Sequence, residues 1–137
     1  MNIFHIIKNF FITKRYLYLL PRKIRLKIFN IKKLKLYKTK TGNYYLPQFA
    51  LKDLIRNEII DNKIFDKKVY ETAVKYVKDD TIVLDVGANF GQLSVLLSMC
   101  KNNVEVYSFE ASKYIFEILK KNVQINNANV KLFHNLV

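Results

Sequence analysis

The stretch Thr81-Ile82-Val83-Leu84-Asp85-Val86-Gly87-Ala88-Asn89-Phe90-Gly91 decides the fold of this 137-residue chain. Thr81 to Val86 is a near-continuous apolar run of strand length, and a glycine turn ends it. Beyond the turn, Leu93, Leu96, Leu97 and Cys100 recur at i, i+3, i+4 and i+7, the spacing of a helix with one buried face. Val104 to Phe109 is a second strand-like run, Ile115, Ile118 and Leu119 mark a second helix, and Val130 to Phe133 starts a third strand. Short strands alternating with helices of about ten residues predict an α/β fold, a partial doubly wound, Rossmann-like parallel sheet in the order β-α-β-α-β. TIVLDV is apolar on both faces and is therefore expected between two neighbouring strands. Ligands of such sheets bind beyond the carboxyl ends of the strands, which places the site at the glycine turn.

The composition supports that placement. Only three glycines occur in the chain; Gly87 and Gly91 are in this turn, and Gly42 belongs to a hairpin. Glycine costs backbone entropy and is best used where φ is positive or a close approach is needed. Asn89 stands between the two, tolerates the left-handed region, and is expected to cap the following helix. A dinucleotide fingerprint G-x-G-x-x-G would need glycine at Asn89 and Gln92, which disfavours a nicotinamide or flavin cofactor, and the Lys-Ser/Thr of a P-loop is absent. Instead Asp85 precedes the first glycine by two residues. A carboxylate there repels a pyrophosphate but suits an ammonium group, while the helix start favours a carboxylate. Glu110 ends the second strand, 19 residues after Gly91, where an acid can accept both hydroxyls of a ribose. A nucleoside that carries an amino acid satisfies all three preferences.

The rest of the chain is of a different character. Residues 1 to 52 hold 13 of the 24 Lys and Arg and no Asp or Glu, whereas the remainder holds 11 of each sign. Ile3, Phe4, Ile6, Ile7, Phe10 and Phe11 alternate with Lys8, Lys14 and Arg15 in a basic amphipathic leader over residues 1–33. No run there reaches the roughly 18 residues a membrane span needs. Peripheral contact with an anionic membrane is the expected partner of residues 1–52, ahead of nucleic acid. Leu34 to Pro47 reads as a hairpin, with TKTGN as its turn. From Leu51 the pattern is helical, with Leu54, Ile55, Glu58 and Ile59 at helical spacing, and a second helix is expected from Asp66 to Val77 with Val69, Tyr70, Ala73, Val74 and Val77 on its buried side. Residues 34–80 thus lead into a nucleotide-binding unit over 81–137. One cysteine, Cys100, and two distant histidines, His5 and His134, exclude a disulfide scaffold and a zinc module; no metal is expected. His134 reads as a packed or surface residue and Cys100 as core, in a cytoplasmic protein.

DVGANFG, followed by YSFEAS and LKKNVQINN, resembles the class I S-adenosylmethionine (SAM) dependent methyltransferases and, within them, the FkbM family, with its DVGANxG loop, acidic second-strand end and N-x-x-x-N helix end, here Asn122 and Asn126. The resemblance implies a SAM cofactor, with Gly87, Ala88, Asn89 and Gly91 along its methionine end, Asp85 at its amino group and Glu110 at its ribose. Glu71 is implied to face the same pocket. Ala111 departs from the family's usual proline. Methyl transfer to a hydroxyl of a glycan, lipid or secondary metabolite is the implied reaction. About seven strands make a whole domain of this class, so the chain is expected to be an N-terminal portion, with the catalytic residues after Val137. A peripheral location at the inner membrane face follows from the leader. Two other functions fit the same residues: a noncatalytic basic module with a degenerate nucleotide-binding remnant, and an NAD-dependent enzyme.

Overall fold

In the computed structural model, residues 33–135 are described, and the leader expected over 1–33 lies almost wholly outside them. The hairpin forms over the expected residues, with a turn shorter than TKTGN because Thr39, Gly42 and Asn43 belong to the strands. Strands β1 (Leu34–Thr39) and β2 (Gly42–Pro47) pair antiparallel with Thr39 opposite Gly42, so Lys40 and Thr41 alone make the turn. Gly42 takes φ 133°, and the Thr39 hydroxyl closes the turn on its carbonyl at 2.8 Å.

Two short helices follow, α1 (Leu54–Ile60) and α2 (Lys67–Tyr76). Asp53 caps α1 by accepting the Arg56 N–H, a bond that satisfies one of the free donors of a helix start. The buried face of α1 differs from the periodicity. Ile59 is buried, but Leu54 is exposed and Arg56 is buried in its place. Arg56 Nε donates to the Pro47 carbonyl at 2.6 Å, and its Nη atoms reach Gln48 O, Asn57 Oδ1 and Tyr37 Oη. A cation enters the interior here because carbonyls at the end of β2 need donors. On α2, Tyr70, Ala73, Val74 and Val77 pack inward as expected, whereas Val69 is exposed at the cleft described below.

The predicted alternation then appears: β3 (Ile82–Val86), α3 (Gln92–Ser98), β4 (Glu105–Phe109), α4 (Lys113–Ile125) and β5 (Val130–Phe133). The three strands form a parallel sheet in the order β3-β4-β5, with Ile82 beside Glu105 and Val106 beside Val130. Ser112 caps α4, and Cys100, placed on a helix by its spacing, lies just past the end of α3 against Leu97 and Val104. Tyr44 and Leu46 of β2, Ile59 of α1, Phe90, Val95 of α3 and Ile118 of α4 share one buried cluster. The hairpin is thereby built into the same core as the β/α layer. Among the described residues β3 pairs only with β4, where its two-faced apolar sequence predicts two neighbours. Ile82, Leu84 and Val86 are about 60% exposed on one face, while Asp85 on the other is 7% exposed.

Candidate functional site

The turn after β3 is built from alternate left-handed residues. Gly87 has φ 82°, Asn89 φ 50° and Gly91 φ 84°, which accounts for two glycines and an asparagine at this spacing. The Gly87 and Ala88 N–H groups both donate to the Phe109 carbonyl at 2.9 Å and bind the turn to the end of β4. A Cβ on Gly87 would meet nothing within 4 Å, so its φ selects glycine and open space lies above the backbone. Gly91 is different. It is the N-cap of α3, and a Cβ there would come within 2.5 Å of Leu119 Cδ1 on α4. Gly91 serves helix packing at this distance and stands outside the cleft. Asn89 does not cap the helix as expected: it lies two residues before the N-cap Gly91, and its Oδ1 accepts the Phe90 N–H at 2.8 Å. Ala88 turns its methyl inward against Leu119 and Val123.

The two acids sit at neighbouring strand ends, as predicted. Asp85 Oδ2 accepts the Ser94 hydroxyl at 2.5 Å, and Ser94 Oγ in turn accepts the Ser108 hydroxyl at 2.8 Å. All three are buried, a polar thread between β3, α3 and β4. Burial pushes the Asp85 carboxyl above its ordinary range, and the bonds from Ser94 pull it partly back. Glu110 is 9% exposed and holds backbone: Oε2 accepts the Asn89 N–H at 3.1 Å and Oε1 accepts the Ser112 N–H at 2.7 Å. A carboxylate offers about four acceptor positions, so each oxygen keeps one for a ligand hydroxyl.

A cleft of about 200 Å³ opens at the turn, lined by Asp85, Gly87, Ala88 and Asn89 together with Phe65, Asp66 and Val69. Gly91 and Glu110 are not part of its wall. Neither is Glu71, which pairs with Lys67 at 3.2 Å on the solvent side of α2. The other acid in the lining is Asp66, at φ 50° and without a side-chain capping bond to α2. An aspartate immediately before a helix-forming run is the signal that marks it. Gln92 was not anticipated either. It is 5% exposed, donates from Nε2 to Lys63 O and Thr41 Oγ1, and accepts the Phe65 N–H at 2.9 Å. That one amide holds the 63–65 segment over the cleft. His134 meets the Ala111 carbonyl and the Phe116 ring, a packed surface role. No cluster of potential metal ligands occurs among the described residues.

The three parallel strands and their helices form a Rossmann-like α/β fold, which a solved methyltransferase structure shares. Among solved structures, the chain is similar to TYW2 of Pyrococcus horikoshii in complex with MeSAdo, at 18% identity and a TM-score of 0.52, over 75% of this chain and 36% of that one. It is similar to the tRNA (uracil-54, C5)-methyltransferase of Pyrococcus abyssi in complex with S-adenosyl-L-homocysteine, at 15% identity and a TM-score of 0.52, over 75% of this chain and 24% of that one. Trm5b of P. abyssi matches at 16% identity and a TM-score of 0.50, over 74% of this chain and 28% of that one. The chain thus spans about a quarter to a third of the length of these structures. No protein-family model and no curated protein matches the sequence.

Proposed function

We propose that the chain binds SAM at the glycine turn and forms the cofactor-binding part of a methyltransferase of FkbM type, with a hydroxyl of a glycan, lipid or secondary metabolite as acceptor. The observation that carries this reading is the cleft itself: a left-handed turn with open space over Gly87, in a lining that includes the two acids Asp85 and Asp66. Two acids on a small cleft suit the ammonium of an amino acid. The volume, about 200 Å³, is below the roughly 300 Å³ of an ordinary small-molecule pocket and admits the amino-acid end alone. The nucleoside would then extend along the strand ends to Glu110, whose remaining acceptor positions suit a ribose. When bound, SAM supplies a methyl group activated by the sulfonium; holding it in place is the part these residues perform. Residues 81–137 are the binding unit, and 34–80 form the opposite wall.

Titration of the whole chain with S-adenosylhomocysteine by calorimetry tests the reading. Binding is expected, with at least tenfold loss in Asp85→Ala and in Glu110→Ala; a folded chain that ignores S-adenosylhomocysteine but binds NADH would replace this reading with the dehydrogenase one. No helix among the described residues is long and apolar enough to cross a membrane. The acid-free residues 1–52 are proposed to touch the anionic inner face of a membrane from the cytoplasmic side. Salt-sensitive partition onto phosphatidylserine vesicles is expected, and equal partition of a chain lacking residues 1–33 would remove that part.

A further inference from the structure

Asn122 on α4 and Asn126 at its C-cap face the outer edge of β2, the edge turned away from β1. Asn126 Oδ1 accepts the Asn43 N–H at 2.8 Å, and its Nδ2 donates to the Asn43 carbonyl at 2.7 Å. Asn122 repeats the pattern two strand residues later: Oδ1 accepts the Tyr45 N–H at 2.6 Å and Nδ2 donates to the Tyr45 carbonyl at 3.3 Å. The spacing has a geometric cause. Four helical residues rise about 6 Å and two strand residues about 6.6 Å, so side chains at i and i+4 meet alternate peptides of a strand. Each carboxamide presents one acceptor and one donor in a plane, as a neighbouring strand's peptides would.

Asn122 does one thing more. Its Nδ2 also donates to the Phe90 carbonyl at 2.8 Å. Phe90 is the last residue before the N-cap Gly91 and lines the cleft. Asn122 itself is wholly buried. The turn it grips carries left-handed residues at 87, 89 and 91, a backbone that persists only when its surroundings over-determine it.

We infer that Asn122 is a positioning residue of the ligand site, holding the glycine turn in its binding shape from the side opposite the cleft. This rests on the reading that the turn binds SAM. Asn126 is the built-in control, because it grips the same strand without reaching the turn.

Asn122→Ala and Asn126→Ala are compared in the whole chain, with folding monitored by circular dichroism. Asn122→Ala is expected to weaken S-adenosylhomocysteine at least tenfold, with Asn126→Ala within twofold of the unaltered chain although both loosen the hairpin. Equal losses in the two variants would overturn the inference and reduce the pair to a hairpin clamp. Should Asn122→Ala fail to fold, Asn122→Ser leaves a smaller void and a donor one atom too short for Phe90, with the same expected loss. If the unaltered chain binds no S-adenosylhomocysteine, the proposed function fails; hydrogen exchange then decides the inference separately. The amides of residues 89–91 should exchange faster in the Asn122 variant alone, and unchanged exchange there would sink it.

Discussion

The two faces of the β3-β4-β5 sheet are opposites. On the face covered by α3 and α4 the strands bury Asp85 and Ser108 beside Val106, and polar atoms there meet polar atoms: Ser108 to Ser94 to Asp85. The other face is apolar and open among the described residues, with Ile82, Leu84 and Val86 exposed, Phe133 stacked on Phe109 at 4.8 Å and Tyr107 tilted against Phe133 at 5.6 Å. Lys131 bridges Glu105 and the Tyr107 ring at its rim. The hydrophobic face is thus not the one holding the site together. Buried polar groups define the site because each is costly unless paired, and a fully paired thread specifies one arrangement; the apolar face contributes little until something covers it.

That contrast can be broken by substitution. Leu119→Ala, on the covered face and wholly buried, should lose about 3 kcal/mol in urea unfolding, the usual cost of a buried leucine with its cavity. Gly91→Ala comes next. A left-handed φ and a contact at 2.5 Å from Leu119 predict a loss of about 1 to 3 kcal/mol, with the turn displaced and S-adenosylhomocysteine weakened. Asp85→Asn should act through pH. Burial raises the folded pKa of Asp85 above its ordinary 3.8, so the folded chain holds the proton more tightly. Its contribution to stability is complete below 3.8 and is lost as pH rises through the raised folded value. Asp85→Asn should therefore flatten that part of the stability–pH curve and be the more stable form at neutral pH, while binding S-adenosylhomocysteine poorly. An unchanged curve would mean that Asp85 is not the group responsible. Smallest of all, Leu84→Ser on the open face should change stability by no more than about 0.5 kcal/mol, a surface effect, while lowering dye binding to exposed apolar surface. A loss there comparable to that of Leu119→Ala would show the two faces to be alike.

Much of this was readable from residue order. TIVLDV, VEVYSF and VKLF are strands because short apolar runs bounded by turns have little else to become, and Leu97, Ile118 and Leu119 were marked for burial by their period. The turn was readable too, since glycine and asparagine are the residues that accept positive φ, and Asp85 and Glu110 lie at adjacent strand ends. Periodicity went wrong where burial depended on a distant partner. Leu54 and Val69 fit a helical stripe, yet among the described residues Leu54 is left exposed, and Val69 fronts a cleft. Arg56 went inside because Pro47 and Gln48 needed donors, and no local pattern carries that need. Glu71 was the wrong acid for the cleft: on α2 it points to solvent and Lys67, whereas Asp66, at the bend before the helix, lines the cleft with Asp85.

The sequence by itself determined the alternation of strands and helices, the hairpin and the chemistry gathered at the first strand end, because these follow from backbone preferences within a few residues. Only the tertiary structure decided which groups meet: Gln92 on the Phe65 amide, Glu110 on the Asn89 amide, Asn122 joining β2 to Phe90. Those contacts join residues as many as 77 positions apart, and a hydrogen bond across such a span is set by how whole elements pack, which no local period encodes.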